Sequence, residues 1–122
     1  NRLLMKSQSP YPLPNLPNLL RGRMGRTSTQ EQLIKKDIKA YLSGIGAFWS
    51  IVQGGSYSKP GDPDIVACVK GRYVGIEAKT PTGKLSELQK VRGAEIEKAG
   101  GIWIVVTSKE AVDRELKERG LV

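Results

Sequence analysis

Three charged residues, Asp64, Glu77 and Lys79, flank a stretch of the chain that is predicted to be a β-hairpin. The dipeptide Lys70-Gly71 separates two apolar, β-branched runs, and glycine suits the positive φ that a two-residue hairpin loop needs. Because side chains two apart on a strand share a face, Lys79 is expected beside Glu77. The hairpin therefore predicts that two carboxylates and an amine meet at one place.

The register of the hairpin decides whether the two carboxylates face each other. If Val69 and Arg72, which flank the turn, pair with each other, Asp64 stands directly opposite Glu77. The alternate residues of the second strand then point into a core: Val74, Ile76 and Ala78. Directly opposed like charges destabilise a strand pair by up to about 1 kcal/mol, so we expect a cation to neutralise them.

Mg²⁺ or Mn²⁺ is the cation that best suits such a site. Both prefer carboxylates, carbonyls and water, and Mg²⁺ often binds through one or two carboxylates plus substrate phosphate oxygens. The chain has no histidine and one cysteine, which argues against zinc. Glu77-Ala78-Lys79 alone is weak support, since a solvated ion pair on a strand would explain it equally well. Asp64 in register, preceded by the turn from Gly61, favours the metal site.

Composition predicts one globular domain, because 122 residues with 39% hydrophobic content can bury one core. The chain has no run of about eighteen apolar residues and no signal-peptide h-region, so we expect no membrane association. The single Cys68 excludes a disulfide framework. A cytoplasmic location fits best, and a phage-encoded protein acting in its host's cytoplasm would be compatible with it.

The formal charge of +8 is unevenly distributed along the chain. Residues 1–26 hold five basic residues and no acidic one, whereas residues 27–122 have a basic excess of only three. Four prolines between Ser9 and Asn18 predict an extended segment. Met24 is a plausible start, which would make the residues before it a non-native remnant or an upstream extension. The predicted organisation is a basic, Pro-rich arm, residues 1–26, and a domain, residues 27–122.

Hydrophobic periodicity predicts the element order αβββαβα for the domain. Two spacings are typical of capping boxes, Ser28 with Glu31 and Thr107 with Glu110. The predicted elements are a helix from Ser28 to Gly44, a strand over 47–53, the hairpin strands 65–69 and 73–78, a helix from Ser86 to about Ala99, a strand over 102–106 and a helix from Thr107 to Arg119.

This order resembles the PD-(D/E)XK nuclease superfamily, whose αβββαβ core carries its acid pair on the second and third strands. The resemblance implies an α/β fold with a mixed sheet flanked by helices. Between about Thr27 and Val106 the chain is similar to the narrower VRR-Nuc family. The segments that carry this similarity are Gly61 to Val66, Gly75 to Pro81, and Gly83 to Ser86 with Gln89.

The VRR-Nuc resemblance implies roles for individual residues. Asp64 and Glu77 match the family's metal-binding carboxylates, and the carbonyl of Ala78 is an expected further ligand. Lys79 matches the catalytic lysine. Glu31 matches an acidic metal-site residue on the first helix. Among the catalytic residues we also include Gln89, which matches a second-helix residue that helps to hold the lysine, water or metal.

Simpler interpretations compete for two of these residues. A capping box would explain Glu31 without any chemistry, although its spacing from Ile34 and Ile38 places it on the buried stripe of the helix. Gln89 could be an ordinary polar residue beside an apolar stripe. Asp62 matches a variable position of the family, so we expect it to be dispensable for activity.

Other chemically suggestive residues have ordinary explanations. Trp49 and Trp103 fall in predicted strands, so we expect them to belong to the core and not to stack on bases. Three lysines of the first helix are expected on its solvated face, with contact to phosphate as the less favoured alternative: Lys35, Lys36 and Lys39.

The resemblance implies a metal-dependent endodeoxyribonuclease that hydrolyses phosphodiester bonds. The chain has no recognisable base-reading module, so selection of branched DNA by shape is more expected than sequence-specific cleavage. Stand-alone members of such families often pair, which makes four-way junction resolution by a homodimer the leading hypothesis. A flap or nick endonuclease is the nearest alternative. A non-catalytic DNA-binding module, or an enzyme acting on a small phosphorylated substrate, would be a different class.

A homodimer needs apolar residues at its interface. The candidates are the leucines of the arm and residues at the end of the last helix: Leu13, Leu16, Leu19, Leu20, Leu116, Leu121 and Val122.

Overall fold

A computed structural model describes residues 29–52 and 59–122. The three helices in this part of the chain are α1 (Thr29–Gly44), α2 (Glu87–Lys98) and α3 (Lys109–Glu118). The strands are β1 (Phe48–Ile51), β2 (Ile65–Val69), β3 (Arg72–Ala78) and β4 (Ile102–Val106). Within these residues the predicted order αβββαβα is confirmed. The arm lies outside the described residues.

The strands form one mixed sheet in the order β1-β2-β3-β4. The first three are antiparallel neighbours, while β4 runs parallel to β3. Val69 pairs with Arg72, which confirms the predicted register of the hairpin. Lys70 and Gly71 have φ values of 50° and 81°, the positive values that a tight two-residue loop between twisted strands requires.

The main core lies between one face of the sheet and the helices α1 and α3. The alternate residues of β3 predicted to point inward, Val74, Ile76 and Ala78, are all fully buried. α1 and α3 also contact each other, and the Tyr41 hydroxyl donates a 2.7 Å hydrogen bond to a carboxylate oxygen of Asp113. In this layer α1 packs against β1 and β3, and α3 packs against β4, so one strand of the hairpin is supported directly by a helix.

On the opposite face of the sheet, to which Trp103 points, α2 packs against β4. The two elements approach closely because Gly93 has no side chain; a Cβ there would overlap the indole ring of Trp103. Trp103 is half-buried in this contact and Trp49 packs against the main core, as expected for structural tryptophans. None of the described helices is long and apolar enough to cross a membrane.

The structure corrects two boundaries predicted from the sequence. β1 spans Phe48–Ile51, which is shorter than the predicted 47–53, and residue 53 lies outside the described part. The last helix is capped by Ser108, whose hydroxyl accepts a hydrogen bond from the Ala111 N–H, so the prediction of Thr107 as its cap was wrong.

Two of the proposed interface residues belong to the core instead. Leu116 is fully buried and Leu121 is 8% exposed. Leu116 lies on the buried face of α3, with Ala111 and Val112, whereas Leu121 is returned to the core by the chain reversal at Gly120, which has a φ of 72°. There the Leu121 N–H donates to the Leu116 carbonyl at 2.9 Å and the Gly120 N–H to the Lys117 carbonyl at 3.0 Å. This Schellman arrangement folds Leu121 back onto its own helix.

Candidate active site

The hairpin brings Asp64 and Glu77 to adjacent positions at one end of β2 and β3. Ile65 pairs with Ile76, so the next position places Asp64 across from Glu77. A carboxylate oxygen of Asp64 (Oδ2) accepts a 2.9 Å hydrogen bond from the Ala78 N–H. The contact fixes Asp64 beside the end of β3, where the sequence predicted that the charges would meet.

Glu77 is a fully buried carboxylate that lacks a full set of partners. Its Oε1 accepts a long hydrogen bond, 3.4 Å, from the side-chain amide of Gln89. Its Oε2 is buried and has no hydrogen-bond partner among the described residues. Burial, and then the neighbouring charge of Asp64, raise the pKa of Glu77 to about 8, although the Lys79 ammonium opposes the shift. An ionised carboxylate in this position needs a compensating positive charge.

Gln89 reaches the site from the first turn of α2. The Ser86 hydroxyl accepts from the Gln89 N–H at 3.1 Å, and the Gln89 side-chain oxygen accepts from the Ser86 N–H at 2.9 Å. This capping box leaves the amide nitrogen of Gln89 to face Glu77. Helix capping and contact with the acid pair are therefore properties of the same side chain, and its catalytic role stays a prediction.

Lys79 immediately follows β3 and is held there by its backbone. Its N–H donates a 2.9 Å hydrogen bond to the Val106 carbonyl at the end of β4. The side chain is close enough for its charge to lower the pKa of Glu77, against the larger effect of burial. The structure thus places the Lys79 ammonium close enough to Glu77 for their charges to interact, and its catalytic role stays a prediction.

Glu31 is linked to Asp64 of the acid pair through Lys35, which forms an ion pair with each of them. The Lys35 Nζ lies 3.5 Å from a carboxylate oxygen of Glu31 and 3.8 Å from Asp64 Oδ1. The side chains of Glu31, Lys35 and Asp64 are 28%, 24% and 22% exposed. Ser28 lies outside the described residues, so the proposed capping box at Glu31 does as well.

Lys35 is a site residue that the sequence interpretation missed. We expected it on the solvated face of α1, and this was wrong; Lys36 is exposed as expected, and Lys39 is half-buried. The signal was present in the spacing, because Lys35 lies one helical turn after Glu31 and must share the face to which Glu31 had been assigned.

Asp64 and Glu77 could hold a divalent cation as a pair of carboxylates, without a complete set of protein ligands. Within residues 29–52 and 59–122, no group of three or more acidic, histidine or cysteine side chains forms a ready-made metal site. Two adjacent carboxylates, the unpartnered Glu77 Oε2 and the ammonium of Lys35 beside Asp64 nevertheless mark a place where positive charge is favoured. This suits Mg²⁺ or Mn²⁺, which take one or two carboxylates and complete their shells with carbonyls, water or phosphate. Ala78 and Glu31 stay predicted ligands.

Asp62 is engaged in holding its loop and not in the acid pair. It receives a 2.7 Å hydrogen bond from the Arg92 side chain and a 2.9 Å bond from the Lys59 N–H. Burial alone would raise the pKa of Asp62, but the hydrogen bonds from Lys59 and Arg92 outweigh it and lower that pKa. Asp62 therefore ties the loop before β2 to α2, which agrees with its exclusion from the predicted site.

Comparison with known proteins adds a structural likeness to this geometry. The chain matches no protein-family model and no curated protein. It is similar to a solved structure described as "VRR_NUC domain", with a TM-score of 0.62 and 25% sequence identity. The likeness covers 75% of this chain and 97% of that chain. The mixed four-stranded sheet flanked by helices matches a VRR-Nuc nuclease fold, and this likeness supports a VRR-Nuc family assignment.

Proposed function

We propose that this nuclease-family domain is a Mg²⁺- or Mn²⁺-dependent DNA endonuclease. One observation carries the proposal: the buried carboxylate of Glu77 stands beside Asp64 and keeps an oxygen without a hydrogen-bond partner among the described residues. A purely structural carboxyl group would have its oxygens satisfied, because a buried polar atom without a hydrogen-bond partner is costly. A degenerate binding module would gain nothing from maintaining this arrangement together with a neighbouring lysine.

Hydrolysis of a phosphodiester requires an activated water and compensation of negative charge at phosphorus. A divalent cation held by Asp64, Glu77 and the Ala78 carbonyl would supply Lewis-acid stabilisation and make water more acidic. As an ammonium, Lys79 would orient the water or stabilise the charge developing on the phosphoryl oxygens, whereas as a neutral amine it would take the proton of the water. Gln89, whose amide nitrogen lies 3.4 Å from Glu77 Oε1, would help to hold that carboxylate in place.

The test is a panel of labelled duplex, single-stranded, flap and four-way-junction DNA, incubated with Mg²⁺, Mn²⁺ or EDTA. We expect cleavage only with the metal, and we expect its loss in three variants: Asp64→Ala, Glu77→Ala and Lys79→Ala. Asp62→Ala is the matched control, because it removes a nearby carboxylate that is bound to Arg92. It should keep at least about a tenth of the activity, corresponding to a loss of up to roughly 1.4 kcal/mol.

Metal-independent cleavage, or full activity of folded Asp64→Ala protein, would overturn the mechanism. Metal-dependent binding of DNA without cleavage of any substrate would instead favour the non-catalytic DNA-binding module. Circular dichroism of each variant separates loss of chemistry from loss of fold.

The finer proposal is that the substrate is branched DNA and that a homodimer resolves four-way junctions. It is supported by the small size of the domain, in which the described elements form only the nuclease core. A single site cuts one strand, whereas a two-fold pair presents two sites to two strands. The alternative is a flap or nick endonuclease that acts as a monomer. In the same panel it would cut a single strand of its substrate.

A further inference from the structure

Lys35 lies among the acidic residues to which a cation is assigned above. Its Nζ is within 4 Å of both Glu31 and Asp64, at 3.5 Å and 3.8 Å. All three side chains are between about one fifth and one third exposed, so these ion pairs are less screened than those on an open surface.

The position of this ammonium group has an electrostatic cause. Asp64 stands beside the buried Glu77, and only part of the resulting repulsion is offset by Lys79. A second positive charge, that of Lys35 beside Asp64 Oδ1, lowers the electrostatic cost of the acid pair. The geometry also lets Lys35 link α1 to the start of β2, because Glu31 and Lys35 belong to α1 and Asp64 directly precedes that strand.

We propose that Lys35 is a tethered cation that competes with the divalent metal for Asp64 and Glu31. The inference rests on the proposed metal-dependent function and deepens it. When the metal binds, the Lys35 ammonium has to leave Asp64, since two cations repel each other at such short distances. The flexible lysine stem allows this movement without displacement of α1. Lys35 is thus a positioning residue that stabilises the metal-free site and sets how tightly the metal is held.

The experiment measures Mn²⁺ affinity by calorimetry, together with the melting temperature in EDTA. Lys35→Met removes the charge and keeps most of the stem, and Lys35→Arg keeps the charge. Lys36→Met is the matched control, because it removes an equal charge from the neighbouring, exposed position of the same helix. Lys35→Gln is a second neutral variant, which guards against a specific effect of methionine on folding.

We expect Lys35→Met and Lys35→Gln to bind Mn²⁺ roughly tenfold more tightly than the unmodified protein at low salt, an estimate from the Coulomb repulsion that they remove. In EDTA both should melt at a lower temperature than Lys36→Met. Lys35→Arg and Lys36→Met should bind Mn²⁺ within about twofold of the unmodified protein, because the local charge is kept or lies outside the site.

Equal Mn²⁺ affinity of the Lys35→Met, Lys35→Gln and unmodified proteins would overturn the role of Lys35 and leave the proposed metal site intact. Mn²⁺ binding by the neutral Lys35 variants alone would support the inference in its strongest form, while contradicting metal use by the unmodified protein. Absence of Mn²⁺ binding in all the proteins would overturn both proposals.

Discussion

Glu77 is the residue whose chemistry is most altered by the fold. Its pKa is raised to about 8, first by burial and second by the charge of Asp64, from an ordinary value of 4.5. The folded protein therefore holds a proton on Glu77 at pH values where the unfolded chain has released it. The contribution of Glu77 to the stability of the metal-free protein is fully present below the ordinary pKa and is lost as the pH rises through the folded pKa.

The corresponding prediction concerns the pH dependence of unfolding in EDTA. Glu77→Gln, which cannot ionise, should gain stability relative to the unmodified protein as the pH rises from about 5 to about 9. Asp64→Asn should show a smaller gain, because it removes only the second cause of the raised pKa. Chemical denaturation at a series of pH values measures the difference. A difference that stays constant over this range would contradict a proton held on Glu77.

The acid pair was predictable from the sequence because a two-residue loop fixes the register of a hairpin. Once Val69 pairs with Arg72, no freedom remains in the positions of Asp64 and Glu77. The spacing from Glu31 could have placed Lys35 on the same face of α1, but its approach to Asp64 depends on how α1 lies on the sheet, which no local pattern specifies. The unpartnered oxygen of Glu77 is likewise a consequence of tertiary packing.

In the first turn of α2, the side chain of Gln89 both stabilises the helix and contacts the candidate site. Gln89 closes the capping box with Ser86 and its amide nitrogen reaches Glu77 at 3.4 Å. Ser86→Ala removes the hydroxyl cap but keeps the backbone N–H of residue 86, which can still donate to the Gln89 side chain. Gln89→Ala removes both the return hydrogen bond and the contact with Glu77.

We predict that Ser86→Ala and Gln89→Ala each lose about 1 kcal/mol of stability, the usual cost of a lost cap. Only Gln89→Ala should also lower the cleavage rate markedly, because Glu77 is then left without its amide partner. Thermal unfolding and single-turnover cleavage of the two variants check this. Equal cleavage rates would show that Gln89 acts as a cap and nothing more.

The contact between α2 and β4 depends on Gly93. A methyl group there would overlap the Trp103 ring, so Gly93→Ala should destabilise the domain by about 1–3 kcal/mol, as overpacked cores do. The control is Gly44→Ala at the end of α1, where an added Cβ has no atom within 4 Å. That change should be neutral or stabilise by up to about 1 kcal/mol. Denaturant titrations that give both variants the same midpoint would contradict this account of the packing.

The elements were largely predictable, and their ends were not. Apolar runs rich in β-branched residues defined β2 and β4 to the residue, since each strand is short and bounded by turn residues. Thr107 and Ser108 are adjacent hydroxyl residues that can both cap a helix: Glu110 gives Thr107 the spacing of a capping box, but serine is the better N-cap, and the structure selects Ser108. Gly120 followed by Leu121 is a recognisable Schellman pattern, which could have shown that Leu121 returns to the core.

At the scale of the whole molecule, most of the net positive charge lies in the arm and not in the nuclease core. Residues 27–122 have a basic excess of three, whereas the arm carries five basic residues and no acidic ones. Each phosphate contact releases counterions and adds to the salt dependence of binding. We therefore expect moderate salt sensitivity of DNA binding, most of which is contributed by residues 1–26.

The last prediction is that the active species is a homodimer that prefers branched DNA to linear duplex. A lone domain with one site has little surface with which to sense a junction, while a two-fold pair places two sites at a fixed separation. Burial of Leu116 and Leu121 removes them from the candidate interface, so Val122, which is exposed, and the leucines of the arm remain. Sedimentation with and without a four-way junction should show a dimer, and deletion of residues 1–26 should weaken both dimerisation and the salt dependence of binding. A monomer under both conditions, with equal affinity for junction and linear duplex, would exclude junction resolution and leave the flap or nick endonuclease as the better account of this site.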